Sequence, residues 1–142
     1  MPKQVYSPTN RILNTDTGLL ILRISASLLM IVGHGLPKIN LLFSENASQF
    51  ADPIGMGAVP SLILAVITEI VCSVLIIVGW KTRWATIPLI ITMFVAHFII
   101  HAEDAFRVKE LSLVYLFIFL VLLFTGSGRY SLDHFLRSKT QK

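Results

Sequence analysis

A chain of 142 residues would suit one soluble domain by length, but 54% of it is hydrophobic, only 14% is charged and the mean hydropathy is +0.74, so most of it belongs in lipid. The single cysteine, Cys72, excludes a disulfide framework, a CxxC pair and a thiolate metal cluster. The net charge of +4 comes from bases gathered at the ends of apolar segments, a pattern of membrane topology and not of nucleic-acid binding.

Taken in order, residues 1–16 are polar, hold Pro2 and Pro8, and lack the charged start and short apolar core of a secretory signal, so they read as a tail. Asn14, Thr15, Asp16 and Thr17 offer caps for a first span predicted over 18–37 and ended by Pro37. Arg23 lies about 7.5 Å beyond Gly18 at the helical rise, close enough to snorkel to the headgroups or, pointing inward, to neutralise an acid. Arg23, Ser27, Met30, His34 and Lys38 follow helical spacing and make one stripe that should face protein or water. Residues 39–60 are too long and mixed for a tight turn. They read as a surface segment partly covering the bundle, with Ser44 capping a short helix that ends near Pro53.

The second span, 61–80, carries Glu69 near its middle, where a carboxylate costs on the order of 3 kcal/mol unless it finds a partner. Lys81-Thr82-Arg83, flanked by Trp80 and Trp84, fits a tight hairpin at the membrane surface, leading into a third span at 84–101. Pro88 is tolerated there because it falls in the first turns. His97 and His101, four apart, share one face of an α-helix. A polar connection leads to Glu110 and a fourth span, 111–125, stopped by Thr125-Gly126-Ser127-Gly128. Beyond it, Leu132, Phe135 and Leu136 form the apolar face of a short interfacial helix with a basic end. The fold class is therefore an all-α membrane protein: one domain over 1–142, an antiparallel bundle of four transmembrane helices with a short C-terminal interfacial helix.

Four spans put both termini and the 81–83 turn on one side. Lys3, Arg11, Lys81, Arg83, Arg129, Arg137, Lys139 and Lys142 gather there against Lys38, Arg107 and Lys109 opposite, which orients both termini to the cytoplasm. Counting from the cytoplasmic ends at 1.5 Å per residue puts Glu69 about 16 Å deep, His97 about 20 Å, and His34 and His101 about 25 Å. The expectation is a polar chamber open to the outer side, with Glu69 and His97 meeting at its floor and His34, His101, Lys38 and Glu110 toward its mouth. Such groups can pair simply to fix helix register. A neutral histidine and a carboxyl at a membrane edge can also bind a quinone's carbonyl oxygens and exchange its protons. A metal held by three histidines and a carboxylate is the weaker alternative.

The pieces LLILRISASLLMIVGHGLPK, GMGAVP ahead of the second span, Glu69 within it, GWKTRWA between spans two and three, and TGSGRYSLD at the end come in an order that resembles the DoxX family. The resemblance runs from Gly18 to Asp133. It implies a bacterial inner-membrane four-helix protein associated with electron transfer, related to the membrane subunit of thiosulfate:quinone oxidoreductase and working with a partner protein in a redox complex. It marks Arg23, His34, Lys38, Glu69, Arg83 and Glu110 as family-pattern positions. Residue chemistry and resemblance together assign Glu69 and His97 as catalytic and Arg23, His34, Lys38, His101 and Glu110 as cofactor-binding, with a quinone as the cofactor and no residue assigned to a metal. The alternatives are a non-catalytic scaffold that docks a partner and a small proton-linked carrier.

Overall fold

A computed structural model describes residues 8–140, and among them the chain is helical with no strand. The tail 1–7, with Lys3, and Lys142 at the other end lie outside the described residues. Helix α1 (Pro8–Met30) starts ten residues ahead of the expected Gly18, with a proline at its first position, where the missing amide costs nothing. Asp16 is therefore not a cap. Its Oδ1 instead accepts from the Arg129 amide at 2.9 Å, tying the first helix to the chain's end.

α1 continues through a π turn, Ile31–Gly35, into α2 (Leu36–Leu42), giving one 28-residue apolar helix over Thr15–Leu42. Pro37 does not end it as expected. The wider π turn has already shifted the bonding where proline's missing amide would break it. Ser44 does cap a short turn, a 3-10 helix over Glu45–Gln49, accepting from the Asn46 amide at 3.2 Å.

The second span, Ala58–Val78, comprises α3 (Ala58–Ile67), a π turn at Thr68–Cys72 and α4 (Ser73–Val78). Gly79 ends it at φ 74°, and the Trp80 amide reaches back to the Leu75 carbonyl at 2.9 Å, the bonding of a left-handed helix stop. α5 (Thr82–Val95) and a π turn at Ala96–Ile100 form the third span, α6 (Phe106–Thr125) the fourth, and α7 (Leu132–Thr140) follows.

The four spans form a ring in which each touches the next and α6 closes back onto α1. Met30, Ile76, Leu89, Phe119 and Leu122 are wholly buried along its axis. Large apolar side chains such as Ile21, Val32, Phe117 and Phe124 stand outward, a surface far too apolar for water and suited to lipid. This is an all-α, multi-pass membrane bundle.

At the end of the bundle shared by the 79–82 turn and the C-terminal segment, two side chains act as a clasp. Arg23, 1% exposed, donates to the carbonyls of Ser127, Tyr130 (2.9 Å) and Ile77 (3.4 Å). Asp133 accepts from the amides of Lys81 (2.8 Å) and Thr82 (3.2 Å), the unpaired start of α5. The clasp needs Gly79, since a Cβ there would lie 2.5 Å from Ser131 Cβ and 2.8 Å from Arg23 Nη1.

Candidate functional site

The far end of the bundle holds the buried ion pair. Glu69 is 1% exposed, and both its oxygens accept from Lys38 Nζ, at 2.8 and 2.9 Å. Helical side chains lean toward their own N-terminus, so Lys38 leans down into the bundle from the first span while Glu69 leans up to it from the antiparallel second. Their backbones are held together at Gly35, where a Cβ would stand 2.7 Å from Ile70 Cγ1. Glu69 thus has its partner, and it is Lys38 rather than Arg23 or His97.

The pair forms part of the wall of a cavity of about 320 Å³. Most of that wall is apolar, including Leu64, Ile91, Val95 and Leu111, and the polar exceptions include His34, Lys38, Glu69, His101 and Ser112. The connection before the second span closes one side with Phe50, Ala51, Pro53 and Ile54. Asp52 holds that loop: its Oδ1 accepts from Ser61 Oγ (2.7 Å) and the Met56 amide (3.0 Å), and its Oδ2 from the Gly57 amide (2.7 Å). The Ser61 hydroxyl first, then the Gly57 and Met56 amides, keep the Asp52 carboxyl below its ordinary value of 3.8.

His34 meets Tyr115 edge to face, ring centroids 5.5 Å apart. His101 lines the same cavity, its Nδ1 2.6 Å from Asp104 Oδ2. His97 departs from the expected chamber. Its Nδ1 lies 2.9 Å from the Lys109 carbonyl, which can only accept, so Nδ1 carries the proton and the ring faces α6 rather than Glu69. A π turn at Ala96–Ile100 carries His97, and His101 is its C-cap at φ −102° and ψ 22°, off the regular helix, so the shared face expected from α-helical spacing does not extend to it. Glu110 is exposed and outside the cavity wall; Arg23, buried and held at the clasp by carbonyls, is also outside it.

The spacing argument missed Asp52, Ser112 and Tyr115. The last two stand three apart on α6, a polar pair at helical spacing in the apolar run 111–124. It also missed that His34, Glu69 and His97 each sit within a π turn, a local widening frequent at functional sites. Among the described residues no three His, Cys, Asp or Glu side chains gather as a metal site requires.

The sequence model described as DoxX matches residues 18–102, well over half of the chain and including both members of the ion pair. The chain belongs to the DoxX family. Two uncharacterized proteins of Haemophilus influenzae are similar to it. One is 37% identical over 89 residues, 56% of this chain and 66% of its own length. The other is 32% identical over 98 residues, 64% of each. The chain thus spans just under two thirds of the length of these relatives. No solved structure matches it.

Proposed function

We propose that the cavity beside Lys38 and Glu69 binds a quinone-like molecule, and that the chain serves as a membrane subunit of a quinone-linked oxidoreductase in a bacterial inner membrane, both termini cytoplasmic. The observation that carries this reading is a buried ion pair set in the wall of an otherwise apolar cavity of about 320 Å³. That volume is within the range of small-molecule sites, which join apolar walls to a few placed polar groups. A quinone offers a flat apolar ring and a carbonyl oxygen at each end.

In this role Lys38 is the donor. Two of its three N–H groups go to Glu69, and the third has no partner among the described residues. Glu69 positions the ammonium and balances its charge while Nζ would donate a hydrogen bond to the bound oxygen. His34 and Ser112 line the same wall for the rest of the ring. A bound quinone supplies the acceptor for an electron pair. Cys72 alone supplies no dithiol, so the electrons come from a partner protein, as the DoxX resemblance implies.

Photo-labelling the purified protein with a short-tailed azidoquinone tests the assignment. Label should fall on residues 34–38, 50–54 and 91–96 and be displaced by unmodified quinone. Label spread over the lipid-facing surfaces and indifferent to competitor contradicts the site.

A further inference from the structure

The clasp end holds a second cavity, of about 330 Å³, between the 79–82 turn, the end of α6 and α7. Its walls bring together Lys81, Arg83, His134 and Arg137 with one acid, Asp133. That acid is committed to the amides of Lys81 and Thr82 and to the Ser127 hydroxyl at 3.4 Å. No carboxylate among the described residues lies within ion-pair distance of Lys81, Arg83 or Arg137. The Lys81 ammonium lies over the Trp80 ring, 5.7 Å from its centroid. Orientation in a membrane needs bases near the surface; it does not need two arginines lining one hollow.

Arg83 is fixed in place. Its Nη2 donates to the Phe124 carbonyl at 3.2 Å, and its guanidinium lies over Gly126, where a Cβ would stand 3.2 Å from Nε. Glycine at φ 77° lets the arginine lie flat there, leaving further N–H groups for an anion.

The surroundings select which anion. Trp84, in the cavity wall, is 74% exposed, and Phe124, whose carbonyl holds Arg83, is 77% exposed. An exposed indole at the end of a span sits at headgroup depth, and apolar surface runs from there along the third and fourth spans through Ile87, Phe117 and Val121. A free anion needs only the cations; cations beside an apolar face suit a phosphate that carries acyl chains.

We propose that this cavity binds the phosphate of an anionic phospholipid, Arg83 and Arg137 holding the phosphate oxygens and the chains lying against Trp84 and Phe124. This site is distinct from the one at Lys38 and Glu69, and either assignment stands without the other.

The test is native mass spectrometry of the full chain in mild detergent with equal amounts of phosphatidylglycerol and phosphatidylcholine, for the wild type and for Arg83→Gln/Arg137→Gln. The wild type should retain one phosphatidylglycerol with roughly tenfold or greater preference, since each base near an anionic headgroup contributes several-fold. The double variant should lose that preference, and excess inorganic phosphate should not displace the lipid. Should the double variant not fold, Arg137→Gln alone, on the exposed face of α7, must still lower the preference. Equal retention of both lipids, or unchanged preference in the variants, overturns the proposal. So does displacement by inorganic phosphate, which assigns the cavity to the free ion, or by polyglutamate, which assigns it to an acidic protein segment.

Discussion

Glu69 is the residue on which the functional reading turns, and its partner makes it testable. Breaking a buried ion pair by removing one charge strands the other, so Glu69→Gln should lower stability by about 3 kcal/mol, the low end for such pairs because Lys38 keeps 22% side-chain exposure. Removing both charges with apolar residues of similar size, as in Lys38→Met/Glu69→Leu, should leave stability within about 1 kcal/mol of wild type or above it. That double variant should still lose quinone binding. Thermal unfolding and ligand retention, measured on the same samples, separate the two effects; a double variant that is stable and still binds quinone removes the pair from the site. Asp52 offers a second handle. Its value is depressed in the folded state, so its tie to Ser61, Met56 and Gly57 is complete above the ordinary carboxylate value and is lost as pH falls through the lower folded one. The Gly57 amide resonance should therefore titrate with a midpoint below 3.8 in the wild type and stay flat in Asp52→Asn. A wild-type midpoint at or above 3.8 denies the loop this anchor.

Among the elements, the first and second spans matter most because the site depends on how closely they approach. At Gly35 a methyl group would meet Ile70 at 2.7 Å, next to Glu69. Gly35→Ala should cost about 1–3 kcal/mol through overpacking and reduce quinone retention by parting Lys38 from Glu69. Unchanged retention in a measurably destabilised Gly35→Ala would show that the pair tolerates a wider gap. The elements also explain how far the sequence could be read. The four spans were legible because length and apolarity decide them, and Glu69 advertised its need for a partner. The partner itself was not legible from depth counting, which tracks backbone and ignores how far a lysine stem reaches and which way it leans. α-helical spacing puts His97 and His101 on one face, but a π turn of no evident sequence signature carries His97, and His101 falls at its non-helical C-cap. Arg23 read equally well as anchor or counter-ion because nothing in its own neighbourhood announces carbonyls arriving from Ser127 and Tyr130, more than a hundred residues away.

For the whole molecule, the two ends of the bundle differ in kind. One end carries the ion pair and an apolar cavity; the other carries the clasp, the basic hollow and the amphipathic α7. Lys81, Arg83, Arg129, Arg137 and Lys139 at the clasp end against Lys38, Arg107 and Lys109 at the other fit the proposed orientation, with the clasp toward the cytoplasm. In a Cys72→Ser background, Ser138→Cys should therefore resist an impermeant thiol reagent in intact cells, while Glu103→Cys reacts; the reverse pattern inverts the bundle. The most direct test of the central claim is native mass spectrometry of the protein drawn from its own membranes in mild detergent, recording small molecules and co-purifying chains together. One quinone per wild-type chain, absent from folded Lys38→Met/Glu69→Leu, is the predicted result. A stoichiometric protein partner with no small molecule on the wild type, or a quinone retained equally by the variant, would contradict it.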